Sequence, residues 1–215
     1  MPSDFSSREA SKRETRAALI LAAMQEFAEH GLDGPSLDAI CARAGYTRGA
    51  FYVHFKRRDE LIVAVMERAL GVFLDAVIAR GHEEHDLQTT VERFVAAIAG
   101  RNQPRKAVSP GTPPEPDEDE ALQVLGIPFH QILEACHRSV QIRDSFVSLL
   151  GEAIRRVTDA ARAGQDAGRV RGDVASQDVG ALLILMALGL ETAASTELPL
   201  DLDRSRDALL KLLTL

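Results

Sequence analysis

Apolar side chains recur at three- and four-residue spacing along nearly the whole chain, and no stretch alternates convincingly with period two. Such a chain can bury its apolar faces only by packing helix on helix, so the expected fold class is all-α, with about nine helices. The first is expected from about Lys12 to Glu29, with Ile20, Ala23, Met24, Phe27 and Ala28 on one face and Gly31 just beyond its end. Two short segments, 37–44 and 48–55, precede a long helix carrying Leu61, Ile62, Val65, Ala69, Val72, Phe73, Ala76 and Val77. Leu87, Val91, Phe94, Val95 and Ile98 mark the next one. Helical spacing resumes at Leu122 and runs to Val140, with Pro128 inside it expected to start or kink a helix. A clean stripe follows from Phe146 to Ala161, and the last helices are expected at 176–197 and 203–213.

The segment 101–120 interrupts this rhythm with five prolines and five acidic residues, and only Ala107 and Val108 are apolar. It can bury little and is expected to be a mobile, solvated loop. Hydrophobic residues make up 46% of the whole chain, which suits a soluble globular core. Cys41 and Cys136 lie far apart in sequence, which excludes a disulfide-rich scaffold and a four-thiolate zinc site. The longest uninterrupted apolar run, Val179–Leu190, has 12 residues. That is short of the about 20 that cross a bilayer, so no membrane span is expected. The N-terminus lacks the apolar core of a signal peptide, and a reducing, cytoplasmic location is the expectation.

Residues 36–55, SLDAICARAGYTRGAFYVHF, are the most informative stretch. Ser36 can N-cap one short helix, with Asp38 in its first turn, and Thr47 can cap a second. Gly45 between them suits a tight turn at positive φ. Ala50 and Phe51 are expected to pack inward, leaving Arg48, Gly49, Tyr52 and His54 toward solvent. A helix-turn-helix places its second helix in the major groove of DNA. Small Gly49 allows close approach, Arg48 has the fork that matches a guanine edge, and the Tyr52 hydroxyl can donate to a phosphate. Two readings stay open for Tyr52 and His54: DNA contact, or packing and hydrogen bonding to neighbouring helices.

Charge agrees with this orientation. Residues 1–60 hold nine basic and nine acidic side chains, so the rest of the chain carries the whole net charge of −7. The basic residues cluster as Arg8, Lys12, Arg13 and Arg16, then Lys56, Arg57 and Arg58. Basic edges on a neutral domain, joined to an acidic body, point one end of the molecule at a polyanion.

The stretch from Thr15 to Leu61 resembles the N-terminal domain of the TetR family of bacterial transcriptional regulators. Gly45, Thr47, Arg48, Gly49, Ala50, Tyr52, His54, Phe55, Lys56 and Leu61 carry the resemblance. It implies a helix-turn-helix domain over 1–57 and a larger helical ligand-binding and dimerisation domain over 58–215. It also implies that Ser36 binds a backbone phosphate, that Thr47, Arg48, Gly49, Tyr52 and His54 contact bases or phosphates, and that Lys56 contacts a phosphate. Arg13 and Arg16 are added from the basic cluster. Arg57 stands where many members have a capping Ser or Asn, and Cys41 where alanine is usual.

In the C-terminal body, Val179–Leu190 is apolar around its whole circumference, so one face belongs to its own core and another to a partner chain. The expected homodimer seam comprises Val179, Leu182, Leu183, Met186 and Leu190 with Leu209 and Leu213, and Gly180, Ala187 and Gly189 permit close helix approach. The family dimerises in this region too. Two recognition helices about 34 Å apart would then read a palindromic operator in double-stranded DNA. The resemblance further implies release by an unknown small-molecule effector that acts on the fourth helix, about 58–80. Candidate pocket residues are Phe73, Phe94, Phe129, His130, Leu133, His137 and Phe146, each also explicable as core packing or, for the histidines, as partly exposed surface.

No phosphate-binding glycine loop, nucleophile elbow, paired-carboxylate signature or metal set is present in the sequence, so no enzyme, cofactor or metal is expected. His82 and His85 flank two glutamates, and Cys136 adjoins His137, but neither pair has further ligands. The competing function is a helical interaction or sensor protein without sequence-specific DNA binding. Such a module has no need of Lys56, Arg57 and Arg58 beside Arg48 and Tyr52.

Overall fold

Nine helices are present among the described residues of the computed structural model, which are 3–78, 87–100, 127–196 and 198–214. They are α1 (Ser3–His30), α2 (Leu37–Arg43), α3 (Arg48–His54), α4 (Arg58–Val77), α5 (Leu87–Gly100), α6 (Phe129–Arg138), α7 (Val140–Asp166), α8 (Ser176–Ser195) and α9 (Leu202–Leu213). No strand accompanies them among these residues; Val170 and Thr214 form an isolated antiparallel bridge. The chain is all-α, as its periodicity requires. The proline- and acid-rich segment 101–120 and the His82/His85 pair lie outside the described residues.

One expectation about a helix end needs correction. Helix α1 begins at Ser3 rather than near Lys12. Residues 8–14 are all exposed, so that part of the helix leaves no apolar period to read. Within the spacing from Leu122 to Val140, Pro128 starts a helix, as its place in that pattern predicts. Pro128 sits at the N-cap of α6, and Ser139 interrupts the chain with extended backbone, φ −133° and ψ 117°, before α7 starts.

The chain divides into two compact units, Met1–Ala69 with Gln123–Phe146 and Leu70–Leu122 with Val147–Leu215. In the first unit the start of α4 and the segment around α6 reach the 31–36 loop.

In the first unit α1, α2 and α3 pack on one another around fully buried Phe27, Phe51 and Phe55, with Leu19, Leu32, Ile40, Leu61 and Val65. Each large side chain buried this way contributes about 1.5–3 kcal/mol. Gly31 closes α1 at φ +76°, a conformation that glycine adopts without a Cβ penalty. The 31–36 loop that follows is held from two sides. The Leu32 amide donates to Gln131 Oε1 at 2.7 Å, and Arg138 Nη2 donates to both carboxylate oxygens of Asp33 at 3.0 and 2.8 Å. From α4, Arg58 donates to the carbonyls of Pro35 at 2.7 Å and Leu32 at 2.6 Å and lies over the Phe27 ring. At the α6–α7 break, the Ser139 hydroxyl donates to Asp59 at 2.7 Å.

In the second unit α5 packs against α8 and α9. Phe73, Leu74, Val91, Val95, Ala153, Val157, Ala161 and Val179 are buried there. Gly180 gives α8 its closest approach to α7: an added Cβ would collide with Thr158 Oγ1 and lie 3.1 Å from the Ile154 carbonyl. That closeness is therefore used inside the subunit, whereas Gly189 has no neighbour within 4 Å.

Candidate nucleic-acid interface

The turn linking α2 to α3 is built as its residue types dictate. Ser36 Oγ accepts from the Ala39 amide at 3.1 Å and Thr47 Oγ1 from the Ala50 amide at 3.4 Å, each N-capping a seven-residue helix. Gly45 turns between them at φ +76°, and the Tyr46 amide returns to the Cys41 carbonyl at 2.9 Å. Phe51 anchors α3 from below, and its ring meets that of Tyr52 edge-on at 5.3 Å between centroids. Cys41 is buried, and burial pushes its thiol above the ordinary range, as befits a packed side chain rather than a reactive one.

With Phe51 and Phe55 inside, Ser36, Thr47, Arg48, Gly49, Tyr52 and Lys56 are exposed, as are Arg13 and Arg16 on α1. Nothing but the Thr47 hydroxyl lies within 4 Å of the space beside Gly49, so a flat surface can approach α3 there. His54 is half-buried. Its pKa lies below the ordinary histidine value, first because of burial and then because of Lys12 and Arg16. Sequence reasoning did not single out Val53, which is 65% exposed one turn along from Gly49. Its exposure was legible in the spacing, four residues after the glycine on one helix face.

The basic residues divide by what they touch. Arg43 is spent on α1, donating to Glu26 Oε1 at 2.6 Å and to both Glu29 oxygens at 3.0 and 2.7 Å. Arg58, grouped by sequence with Lys56 and Arg57, is partly buried and satisfies loop carbonyls instead; no sequence signal ties it to partners 23 and 26 positions away. Arg57 donates to Gln141 Oε1 at 3.3 Å. The start of α4 is secured without a capping side chain at Arg57, because the Glu60 carboxylate accepts from the Lys56 amide at 2.8 Å. Arg16 lies over the Phe55 ring at 5.1 Å. Arg48 Nη1 pairs with Asp38 Oδ2 at 3.4 Å, and both side chains are more than half exposed.

The pocket residues expected from sequence fall into separate units. Phe73 and Phe94 meet edge-to-face at 5.9 Å in the second. Phe129 and Phe146 meet at 6.2 Å in the first, where His130, Leu133 and His137 occupy exposed positions of α6. A different, open cleft of about 710 Å³ is lined by Arg57, Asp59, Arg138, Ser139, Val140, Gln141 and Asp144. Among the described residues no group of three His, Cys, Asp or Glu side chains is placed to hold a metal.

The expected seam residues also divide. Leu182 and Met186 are exposed at 57% and 41%, and Leu183, Leu190 and Leu213 are half-exposed. Val179 and Leu209 are corrections: they are buried in their own unit and present nothing to a partner. Leu185, not singled out from the sequence, is 64% exposed, as is Leu212. Ser176–Ala193, with mean hydropathy 1.2, is by length and composition alone apolar enough to cross a bilayer.

Two capped short helices joined at a positive-φ glycine, with a polar and basic outer face over a phenylalanine floor, define a helix-turn-helix protein. Residues 19–65 match the family described as bacterial regulatory proteins, tetR family. It is 41% identical over 89 residues to the HTH-type transcriptional repressor BepR of Brucella suis, covering 40% of this chain and 42% of that protein. It is 34% identical over 77 residues to the uncharacterized HTH-type regulator YvdT of Bacillus subtilis, covering 36% and 40%. The matches thus span about two fifths of these relatives' length. Over almost the whole chain the fold is similar to that of a SmeT–triclosan complex, with TM-score 0.68 and 22% identity across 94% of this chain and 92% of that one.

Proposed function

We propose that this protein is a ligand-responsive transcriptional regulator, acting as a repressor, that binds a palindromic operator as a homodimer and is released by a small molecule. The observation that carries this reading is the exposed row Ser36, Thr47, Arg48, Gly49, Tyr52 and Lys56 on a helix-turn-helix within the tetR-family match. Ser36, Lys56, Arg13 and Arg16 would set register on phosphates, and α3 would read base edges in the major groove. BepR is named a repressor, and the SmeT likeness is a small-molecule complex, which supports repression and an effector here.

One recognition helix of seven residues reads too few base pairs for selectivity, so the proposal requires two. The apolar face of α8 with Leu182, Leu185 and Met186, and Leu212 of α9, is assigned to a second copy. Two helices from each subunit make a self-complementary four-helix seam. An effector in the helical body, held either at Phe73 and Phe94 or among Phe129, His130, Leu133, His137 and Phe146, would change the separation of the two α3 helices and break their register on DNA. Residues 61–215, which carry the net charge of −7, are repelled by the duplex. An aqueous, cytoplasmic setting follows from this role rather than from any single segment.

The test is selection from a randomised duplex pool, followed by titration at two salt concentrations and sedimentation of the free protein. A regulator enriches a palindrome, prefers it to random DNA, loses affinity steeply with salt and sediments as a dimer. Sequence-indifferent, salt-insensitive binding would instead establish the helical interaction protein without DNA specificity.

A further inference from the structure

A negative charge sits among the DNA-facing groups, and its neighbour is the side chain best suited to read a base. Asp38 lies in the first turn of α2, two residues after the Ser36 cap, and is 68% exposed. Its Oδ2 is 3.4 Å from Nη1 of Arg48, the first residue of α3. Tyr52, one turn along α3, is a further electrostatic neighbour of Arg48. The guanidinium is therefore held by a carboxylate from the preceding helix.

We propose that Asp38 is a specificity-determining residue that positions Arg48 for the O6 and N7 edge of a guanine and disfavours its use on phosphate. The inference rests on the regulator reading above. An arginine alone on a helix start has many rotamers and binds any phosphate it can reach, which raises affinity for all sequences alike. A carboxylate beside it narrows those rotamers and presents the planar fork with one edge occupied. It also repels phosphates, so sites that would draw Arg48 to the backbone are weakened relative to sites offering a guanine edge. An exposed ion pair adds little to stability. The contribution expected of Asp38 is therefore to discrimination, with the folded state hardly affected.

The test uses the intact protein and two probes: a duplex bearing the sequence that the wild type enriches from a random pool, and a scrambled duplex of equal length. Affinities are measured for the wild type, Asp38→Asn, Arg48→Ala and the double variant, with a thermal melt of each. Asp38→Asn should tighten binding to scrambled DNA more than to the enriched site, cutting the specificity ratio by about two- to fivefold. Its enriched sequences should lose the guanine preference at the position where Arg48→Ala loses it, and Arg48→Ala alone should cost about tenfold or more in discrimination. In the Arg48→Ala background Asp38→Asn should leave the ratio unchanged. Equal tightening on both probes, or an effect that persists without Arg48, would show that Asp38 acts only through its net charge and would overturn the proposal. A wild type that enriches nothing would remove the regulator reading itself, a result distinct from failure of the Asp38 coupling.

Discussion

Arg58 offers a test of how the DNA-facing unit is held together. Its guanidinium reaches the Pro35 and Leu32 carbonyls at 2.7 and 2.6 Å and covers the Phe27 ring. Hydrogen bonds from a charged donor contribute about 1.5–3 kcal/mol each, and a cation–π contact about 0.5–1 kcal/mol. The residue is only partly buried, so water can replace some of what is lost, and the lower ends of both ranges apply. Arg58→Ala should therefore destabilise the unit by about 3 kcal/mol, which lowers the melting temperature of a domain this size by roughly 10 °C or more. Arg58→Lys keeps the charge but not the fork, cannot span both carbonyls, and should lose about half as much. DNA affinity should fall as well, because the 31–36 loop ends at Ser36. The salt dependence of DNA binding separates the alternatives. A phosphate-binding arginine would leave a shallower salt slope when removed, by about one. Arg58 points at carbonyls, so the slope should not move. Thermal unfolding followed by circular dichroism, with DNA titrations across salt, reads both quantities. A melt within about 2 °C of wild type together with a shallower slope would refute this role.

Three further outcomes are expected. Lys56→Ala should weaken binding to all duplexes alike and reduce the salt slope by about one, read by the same titrations. Leu185→Glu, on the exposed face of α8, should convert a dimer to a monomer by sedimentation without lowering the melt of the monomer unit; a persistent dimer would move the seam elsewhere. His54 has a folded pKa below its unfolded value of about 6.5, so the unfolded chain binds more protons as pH falls. Its contribution to stability is then present above about pH 6.5 and lost on acidification through the lower folded value. His54→Gln should flatten that part of the acid-side stability profile, and an unchanged profile would show that burial, with Lys12 and Arg16, does not hold the imidazole neutral.

The reading head was legible because its determinants are local. Ser36, Gly45 and Thr47 act on backbone within three residues of themselves, and Phe51 and Phe55 are four apart on one face. The supports of that head were not legible. Arg58, Gln131 and Arg138 converge on the 31–36 loop across separations of 23 to 105 positions, and nothing in a periodic pattern encodes such pairs. The same limit divided the seam. A helix apolar on every side announces burial on every side but not which side faces home, so Val179 and Leu185 looked alike until packing distinguished them.

What the sequence by itself determined is the all-helical class, the position of the helix-turn-helix and the polarity of charge, since period, caps and composition act over one or two turns. The tertiary structure alone decided which arginines are free to face a polyanion and which are spent on carboxylates and carbonyls, because that choice depends on partners brought together from distant parts of the chain. It also placed Asp38 beside Arg48, where a charge that reads as a helix-dipole partner in the sequence becomes a neighbour of the base-reading side chain.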